Sequence, residues 1–231
     1  MIDFDAFDVL TFDCYGTLID WERGIVSALA PVFAAHRVLL EPDRALPVFA
    51  ELEAALEAGP YMEYRAVLAG VLQGMGERLA FVPTPEQLDA FSNSVGAWPP
   101  FPDSADALRR LKTRYKLAVI SNVDDDLFAH TARRLGTPFD WVVTAQQVRS
   151  YKPALANFER AIEQIGVAPS GILHVAQSLY HDIAPAKSLG LATVWVNRRH
   201  GKRGFGATLP AKAEPDLEVP DLKTLAERAG T

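Results

Sequence analysis

Residues 7–18, Phe7-Asp8-Val9-Leu10-Thr11-Phe12-Asp13-Cys14-Tyr15-Gly16-Thr17-Leu18, decide how the rest of the chain is read. The first half is a short apolar run rich in β-formers. It ends in an acid and a glycine turn, the pattern of a strand buried on both faces. Similar runs recur at residues 117–120, 141–143, 172–175 and 192–196. Helical patterns lie between them at 104–115, 127–135, 157–165 and 183–189. Strand and helix alternate, which predicts an α/β fold: a Rossmann-like parallel sheet covered on both faces.

One stretch breaks the alternation. Residues 21–95 hold no good strand, only Ala- and Leu-rich helical patterning at 25–36, 44–57, 62–75 and 85–91. Breaks at Glu41-Pro42-Asp43, Gly59-Pro60 and Pro83-Thr84-Pro85 separate these helices. The expected organisation is a catalytic core over residues 1–20 and 96–231, with an all-helical cap over 21–95 inserted after the first strand. The cluster Trp98-Pro99-Pro100-Phe101-Pro102 returns the chain to the sheet, because such a run of prolines resists helix.

Composition narrows the class. The chain has 231 residues, 49% hydrophobic and 23% charged, enough for a full core without metal or disulfide staples. A single cysteine, Cys14, excludes an intramolecular disulfide framework and a Cys-rich zinc site. The net charge of −6 offers no broad basic surface, so no nucleic-acid partner is expected. No apolar run is long enough for a bilayer, so no membrane role is expected either. The acidic start, Met1-Ile2-Asp3-Phe4-Asp5, lacks the basic head of a secretory signal, and a cytoplasmic location is expected. The basic cluster of residues 198–204 reads as a solvated loop after the last strand.

In open parallel sheets, ligands lie beyond the carboxyl ends of the strands. Reading just past each run gives Asp13, Tyr15, Gly16 and Thr17; then Ser121 and Asn122; then Tyr151-Lys152-Pro153; then Gln177, Ser178 and Asp182. Taken alone, each is a turn residue, a helix cap or a solvated side chain. Together they bring an acid, a hydroxyl, an amine and a second acid to one edge, in order. Asp13 would then be a carboxylate nucleophile forming a covalent ester that water cleaves. Lys152 would keep it ionised and draw in a small anionic substrate. Ser121 and nearby backbone amides would hold an oxyanion or carboxylate. Asp182 would orient Lys152 or the hydrolytic water.

These segments, Phe12-Asp13-Cys14-Tyr15-Gly16-Thr17-Leu18, Ile120-Ser121-Asn122, Tyr151-Lys152-Pro153 and residues 175–182, resemble the four ordered motifs of the haloacid dehalogenase superfamily. The helical insertion is similar to that family's mobile cap. Most members are phosphatases with a second Asp two residues after the nucleophile, as general acid. Here Tyr15 stands there. Ala176-Gln177 likewise replaces a Gly-Asp pair whose acid binds Mg²⁺. Both changes suit halide displacement, and the Asp-x-Tyr-Gly-Thr-Leu form resembles the L-2-haloacid dehalogenases.

The resemblance thus implies hydrolytic dehalogenation of a small 2-haloalkanoic acid without metal or other cofactor. Asp13, Lys152, Ser121, Asp182 and Thr17 would be catalytic. Tyr15, Asn122, Gln177, Ser178 and Tyr180 would bind substrate, and a homodimer is among the family's assemblies. Two departures keep alternatives open. The last motif, residues 176–182, matches neither the dehalogenase pattern Ser-Ser-Asn-x-x-Asp nor the phosphatase one. No cap arginine for the halide is matched by motif, leaving Arg23, Arg37 and Arg65 as basic candidates, with Trp21, Tyr61 and Tyr64 as cavity-lining ones. An Mg²⁺-dependent phosphatase or phosphonate hydrolase, or a catalytically weak binding member, are the alternatives. Cys14 reads as small apolar filling, His174 and Phe158 as packing residues, and His181 as a surface histidine at a helix start.

Overall fold

The computed structural model describes residues 2–202 and 204–231. Met1 and Arg203, the latter part of the basic cluster, lie outside the described residues. Strand β1 (Val9–Phe12) is buried along its whole length and pairs in parallel with β2 (Lys116–Ser121) and β4 (Ile172–Ala176). β3 (Trp141–Thr144), β5 (Ala192–Val196) and β6 (Leu217–Val219) complete a six-stranded sheet of order β3-β2-β1-β4-β5-β6. All pairings are parallel, so no strand edge within the sheet needs a hairpin. The strand order reverses between β1 and β4. Connections leave those two strands toward opposite faces, and a crevice opens at their carboxyl ends. The expected α/β Rossmann-like sheet is observed, with β6 as an addition the sequence pattern did not suggest.

Between β1 and β2 the chain forms α1 (Trp21–Ala35), α2 (Pro42–Glu57), α3 (Tyr64–Leu79) and α4 (Pro85–Ser92). Local chemistry explains their starts. The Asp20 side chain accepts from the Arg23 amide, and Pro42 opens α2 with its φ already helical. Thr84 and Gln87 form a reciprocal capping box on α4. α3 has no cap of its own. Its first amides, Tyr64 and Arg65, donate instead to the Asp124 carboxylate at 2.7 and 3.1 Å, from the loop after β2. One core-side acid therefore ties the insertion to the sheet edge. Gly24 lets α1 approach the returning chain, because a Cβ there would fall 2.3 Å from Trp98.

The remaining helices, α5 (Ser104–Leu111), α6 (Asp125–Leu135), α7 (Ala145–Val148), α8 (Ala156–Ile165), α9 (Ala184–Ser188) and α10 (Leu222–Arg228), surround the sheet. A π-turn, Leu179–Ile183, precedes α9. Such turns widen the helix by one residue per turn and re-aim side chains. Apolar residues of sheet and insertion form one contiguous core, from Leu10 and Phe12 through Ile25 and Phe49 to Leu72 and Phe91.

Candidate active site

The chain leaves β1 through Asp13 and folds back at once. Gly16 sits at φ +96°, a conformation a side chain disfavours, and a Cβ would press on Trp21 and Gln177 at 3.0 Å. This turn brings Thr17 under Asp13, where its hydroxyl donates to Asp13 Oδ2 at 2.6 Å. The same hydroxyl accepts from the Gln177 amide at 2.8 Å, joining the first and last segments across the crevice.

Lys152 is 1% exposed, and its ammonium has all three protons placed. They go to Asp13 Oδ1 at 2.9 Å, Asp182 Oδ1 at 2.6 Å and the Ile120 carbonyl at 2.8 Å. Burial opposes the charge on Lys152, but Asp13 and Asp182 outweigh it and hold the ammonium protonated well above its ordinary range. For Asp182, burial is likewise outweighed by Lys152 and His174, and its carboxyl lies below the usual range. Burial pushes the Asp13 carboxyl up, against the pull of Lys152 and the Thr17 hydrogen bond. His174, inside β4, bridges Thr11 and Asp182 at 2.9 and 3.2 Å and packs edge-on against Phe158.

Asn122 holds Lys152 from the other side. Its Oδ1 accepts the Lys152 amide at 2.8 Å, and its Nδ2 donates to the Lys152 carbonyl at 3.0 Å. Thus Asp13, Thr17, Asn122, Lys152 and Asp182 come together as the sequence suggested. The other expected residues are placed less directly. Ser121 ends β2 with its hydroxyl buried and without a partner, outside the lining of the inner cavity. Tyr15 lines that cavity, but its hydroxyl bonds Thr131 at 2.9 Å and its ring meets Trp98 edge-on. Ser178 lines the cavity and accepts from the His181 amide. Gln177 stands over Gly16 with a buried, unpartnered side-chain oxygen. Tyr180 faces an outer chamber instead.

Two cavities meet here. The inner one, about 30 Å³, lies between the Asp13 edge and the inserted helices. The outer one, about 330 Å³, is lined by Tyr61, Arg149, Tyr151 and Tyr180 among others. Glu57 and Lys152 belong to both walls. The inner space is about the size of one to two waters.

The structure adds residues that the sequence reading left out. Glu53 and Glu57, on α2, line the inner cavity. Glu53 is 3% exposed and accepts the Tyr64 hydroxyl at 2.6 Å. Glu57 accepts from Asn122 Nδ2 at 3.2 and 3.3 Å. Burial pushes Glu53 up to about 8; burial and the Glu53 charge push Glu57 well up too. A signal existed: both acids fall on the stripe of Leu46, Phe49 and Ala50, where helical periodicity calls for apolar side chains. His181, read as a surface residue, is 9% exposed because the π-turn rotates it inward. Burial pulls its imidazole down to about 4, so it is neutral at pH 7. Trp21 and Tyr64 line the inner cavity as suggested, and Tyr61 the outer. No cap arginine does. Arg23 and Arg37 are exposed, and Arg65 grips Asp126 with both guanidinium nitrogens at 2.8 and 2.6 Å. Cys14 is wholly buried and burial raises its thiol, consistent with apolar filling.

The donor set is poor for Mg²⁺. Asp13 and Asp182 both spend an oxygen on Lys152, and Gln177 offers an amide where a third carboxylate would stand. Among the described residues no group of three acids, histidines or cysteines could hold a metal ion. Also among them, no helix is long and apolar enough to cross a membrane.

Known proteins agree with this architecture. The chain is 28% identical to an (S)-2-haloacid dehalogenase of Pseudomonas sp. strain YL, covering 94% of this chain and 92% of that one. An L-2-haloacid dehalogenase of Xanthobacter autotrophicus superposes with a TM-score of 0.80 at 22% identity, over 96% of this chain and 97% of that one. A defluorinating L-2-haloacid dehalogenase does so with a TM-score of 0.80 at 24% identity, over 97% and 96%. The family model of the haloacid dehalogenase-like hydrolases matches residues 7–190, which span β1 through the π-turn and the whole insertion. With that match and the strand-end site, the chain belongs to the haloacid dehalogenase-like hydrolases.

Proposed function

We propose that this hydrolase removes halide from a small 2-haloalkanoic acid, giving the 2-hydroxy acid through an ester on Asp13. The observation that carries the reading is the Asp13 carboxylate at the cavity floor, fixed by Lys152 and Thr17, with no carboxylic acid at the Tyr15 position. An oxygen leaving group needs a proton from such an acid; a halide does not. The names of the relatives point the same way.

Asp13 attacks C2, the new C–O bond forms, and halide departs with the bonding electron pair. Lys152 holds the attacking carboxylate in one orientation, which removes rotational freedom before reaction. The substrate carboxylate would lie near the end of β2, and the Ser121 hydroxyl, buried there without a partner although outside the inner lining, is its expected donor. A water then adds to Asp13 Cγ, the acyl C–O bond of the ester breaks, one water proton passes to the leaving alkoxide to give the 2-hydroxy acid, and the other is released to solvent as Asp13 returns to its carboxylate. Asp182 Oδ2, buried and without partner, orients that water. The route needs no metal, since Lys152 supplies the local positive charge. The same reading carries the expectations of a cytoplasmic enzyme and a homodimer, tested by fractionation and light scattering.

The test is halide release from (S)-2-chloropropionate with and without EDTA, beside p-nitrophenyl phosphate with Mg²⁺. Metal-independent halide release that disappears in Asp13→Asn is expected. Phosphate release alone would overturn the reading in favour of a phosphatase. Small-acid binding without turnover would mark a binding member.

A further inference from the structure

The inner cavity brings four carboxyl groups, Asp13, Asp182, Glu53 and Glu57, around one ammonium, Lys152. That ammonium is fully committed to Asp13, Asp182 and a backbone carbonyl. Glu53 and Glu57 have no lysine or arginine within ion-pair distance among the described residues; the nearest basic atom is His181 Nε2, 3.9 Å from Glu57 Oε2. So small a cavity with buried walls does not sustain this many uncompensated charges. One helical turn apart on α2, the two acids also repel each other when both are ionised. Holding a proton on the pair relieves both penalties. A carboxyl that keeps its proton is a hydrogen-bond donor.

What it would donate to follows from the displacement geometry. Asp13 attacks from the sheet edge, so the leaving group departs directly away from it, toward the wall formed by the inserted helices. On that wall Tyr64 already spends its proton on Glu53. Glu57 accepts from Asn122 Nδ2 at 3.2 and 3.3 Å and lines the cavity, so a proton held on it would have the cavity to donate into. Independently, two buried polar atoms on the cavity wall lack any partner, His181 Nε2 and Asp182 Oδ2. The gap of 3.9 Å between His181 Nε2 and Glu57 is too long for a direct bond, and a bound atom between them would complete both.

We propose that Glu53 and Glu57 act as a proton-holding pair that receives the departing halide by hydrogen bond from Glu57, in place of a cationic side chain. The proposal rests on the dehalogenase reading and names how that site accepts its leaving group. No proton is transferred: the C–X electron pair leaves with the halide, and the proton stays on Glu57. Fluoride, the strongest hydrogen-bond acceptor of the halides, gains most from such a donor. The groups facing the pair are Tyr64 from α3, Asp13 and Tyr15 after β1, Asn122 after β2, Tyr151 and Lys152, and His181 and Asp182 from the π-turn. Of these, Lys152 opposes proton uptake by Glu57 and ionised Glu53 favours it.

The test is kcat/KM for halide release from 2-fluoro-, 2-chloro- and 2-bromopropionate between pH 6 and 10. Wild type, Glu57→Gln and Glu57→Leu are compared, with melting temperatures as fold controls. Wild-type activity should fall at alkaline pH, where Glu57, held well above the ordinary carboxyl range by burial and by the Glu53 charge, loses its proton. Glu57→Gln keeps an N–H donor that cannot ionise; it should lose the alkaline fall and keep activity within about tenfold. Glu57→Leu should lose more than about tenfold, most on the fluoro substrate. An alkaline fall unchanged in Glu57→Gln would overturn the proposal while leaving the dehalogenase reading intact. So would a rise in activity with pH, which an ionised pair binding a cationic group would give. No halide release by the wild type at any pH would overturn both.

Discussion

The sheet edge and the inserted helices present the same kind of group to one cavity, in opposite electrostatic conditions. Asp13 and Asp182 at the edge share a buried lysine with every donor satisfied. Glu53 and Glu57 on α2 are as deeply enclosed but have a tyrosine and an asparagine for company. A buried charge is held by its partner; without one, the group changes its protonation instead. The edge is therefore built around fixed ions, and the insertion around a held proton. Removing a partner should hurt the first region, and removing a charge should help the second.

The largest effect belongs to Asp13→Asn. With Asp13 as the proposed nucleophile, its loss should cut halide release by about 10⁴-fold or more, measured as single-turnover halide production. Next comes Lys152→Met, which strands two buried carboxylates and should cost about 3–5 kcal/mol in urea unfolding besides abolishing turnover. Should Lys152→Met melt with the wild type, the edge is not held by that ion pair.

Opposite in sign is Glu53→Gln. The folded-state value of Glu53 is raised from an ordinary 4.5 to about 8, so the folded protein binds this proton more tightly than the unfolded chain. That contribution is complete below pH 4.5 and lost as pH rises through 8. Glu53→Gln should therefore gain melting temperature relative to wild type across that interval, with the largest gain above pH 8. Asp182 runs the other way. Its lowered value stabilises the fold above the ordinary carboxylate range, and the contribution is lost as acid protonates it. Parallel melting profiles for wild type and Glu53→Gln would erase the contrast between the regions.

The smallest effect tests the joint between them. Asp124→Ala removes the carboxylate that caps α3 from the core side and should cost about 1–2 kcal/mol. Hydrogen exchange at the Tyr64 and Arg65 amides should rise more than at α4, whose cap is its own.

Much of this was readable along the chain, and the reasons are local. A strand buried on both faces must be almost wholly apolar, so β1 through β5 announce themselves by composition and length. Parallel strands all point one way, so the residues just past each run share an edge, which locates Asp13 and Asn122; Lys152, beyond α7, and Asp182, within the π-turn, were legible only from the ordered combination. β6 could not. Leu217–Val219 is three residues long with a central glutamate, and only the exposed edge of β5 makes it a strand.

The inward turn of His181 was equally hidden. It depends on a π-turn, and one extra residue in a turn leaves no periodic mark in so short a segment. Glu53 and Glu57 are the instructive pair, because their place on an apolar stripe was visible while its meaning was not. A charged residue on such a stripe is either at the helix margin or against another element, and only packing distinguishes these. By itself the sequence determined which side chains gather at the strand ends, because backbone direction and alternation dictate where they emerge. The tertiary structure alone decided that the inserted helix sets two acids over Asp13, because burial and the absence of a partner are properties of the space between elements.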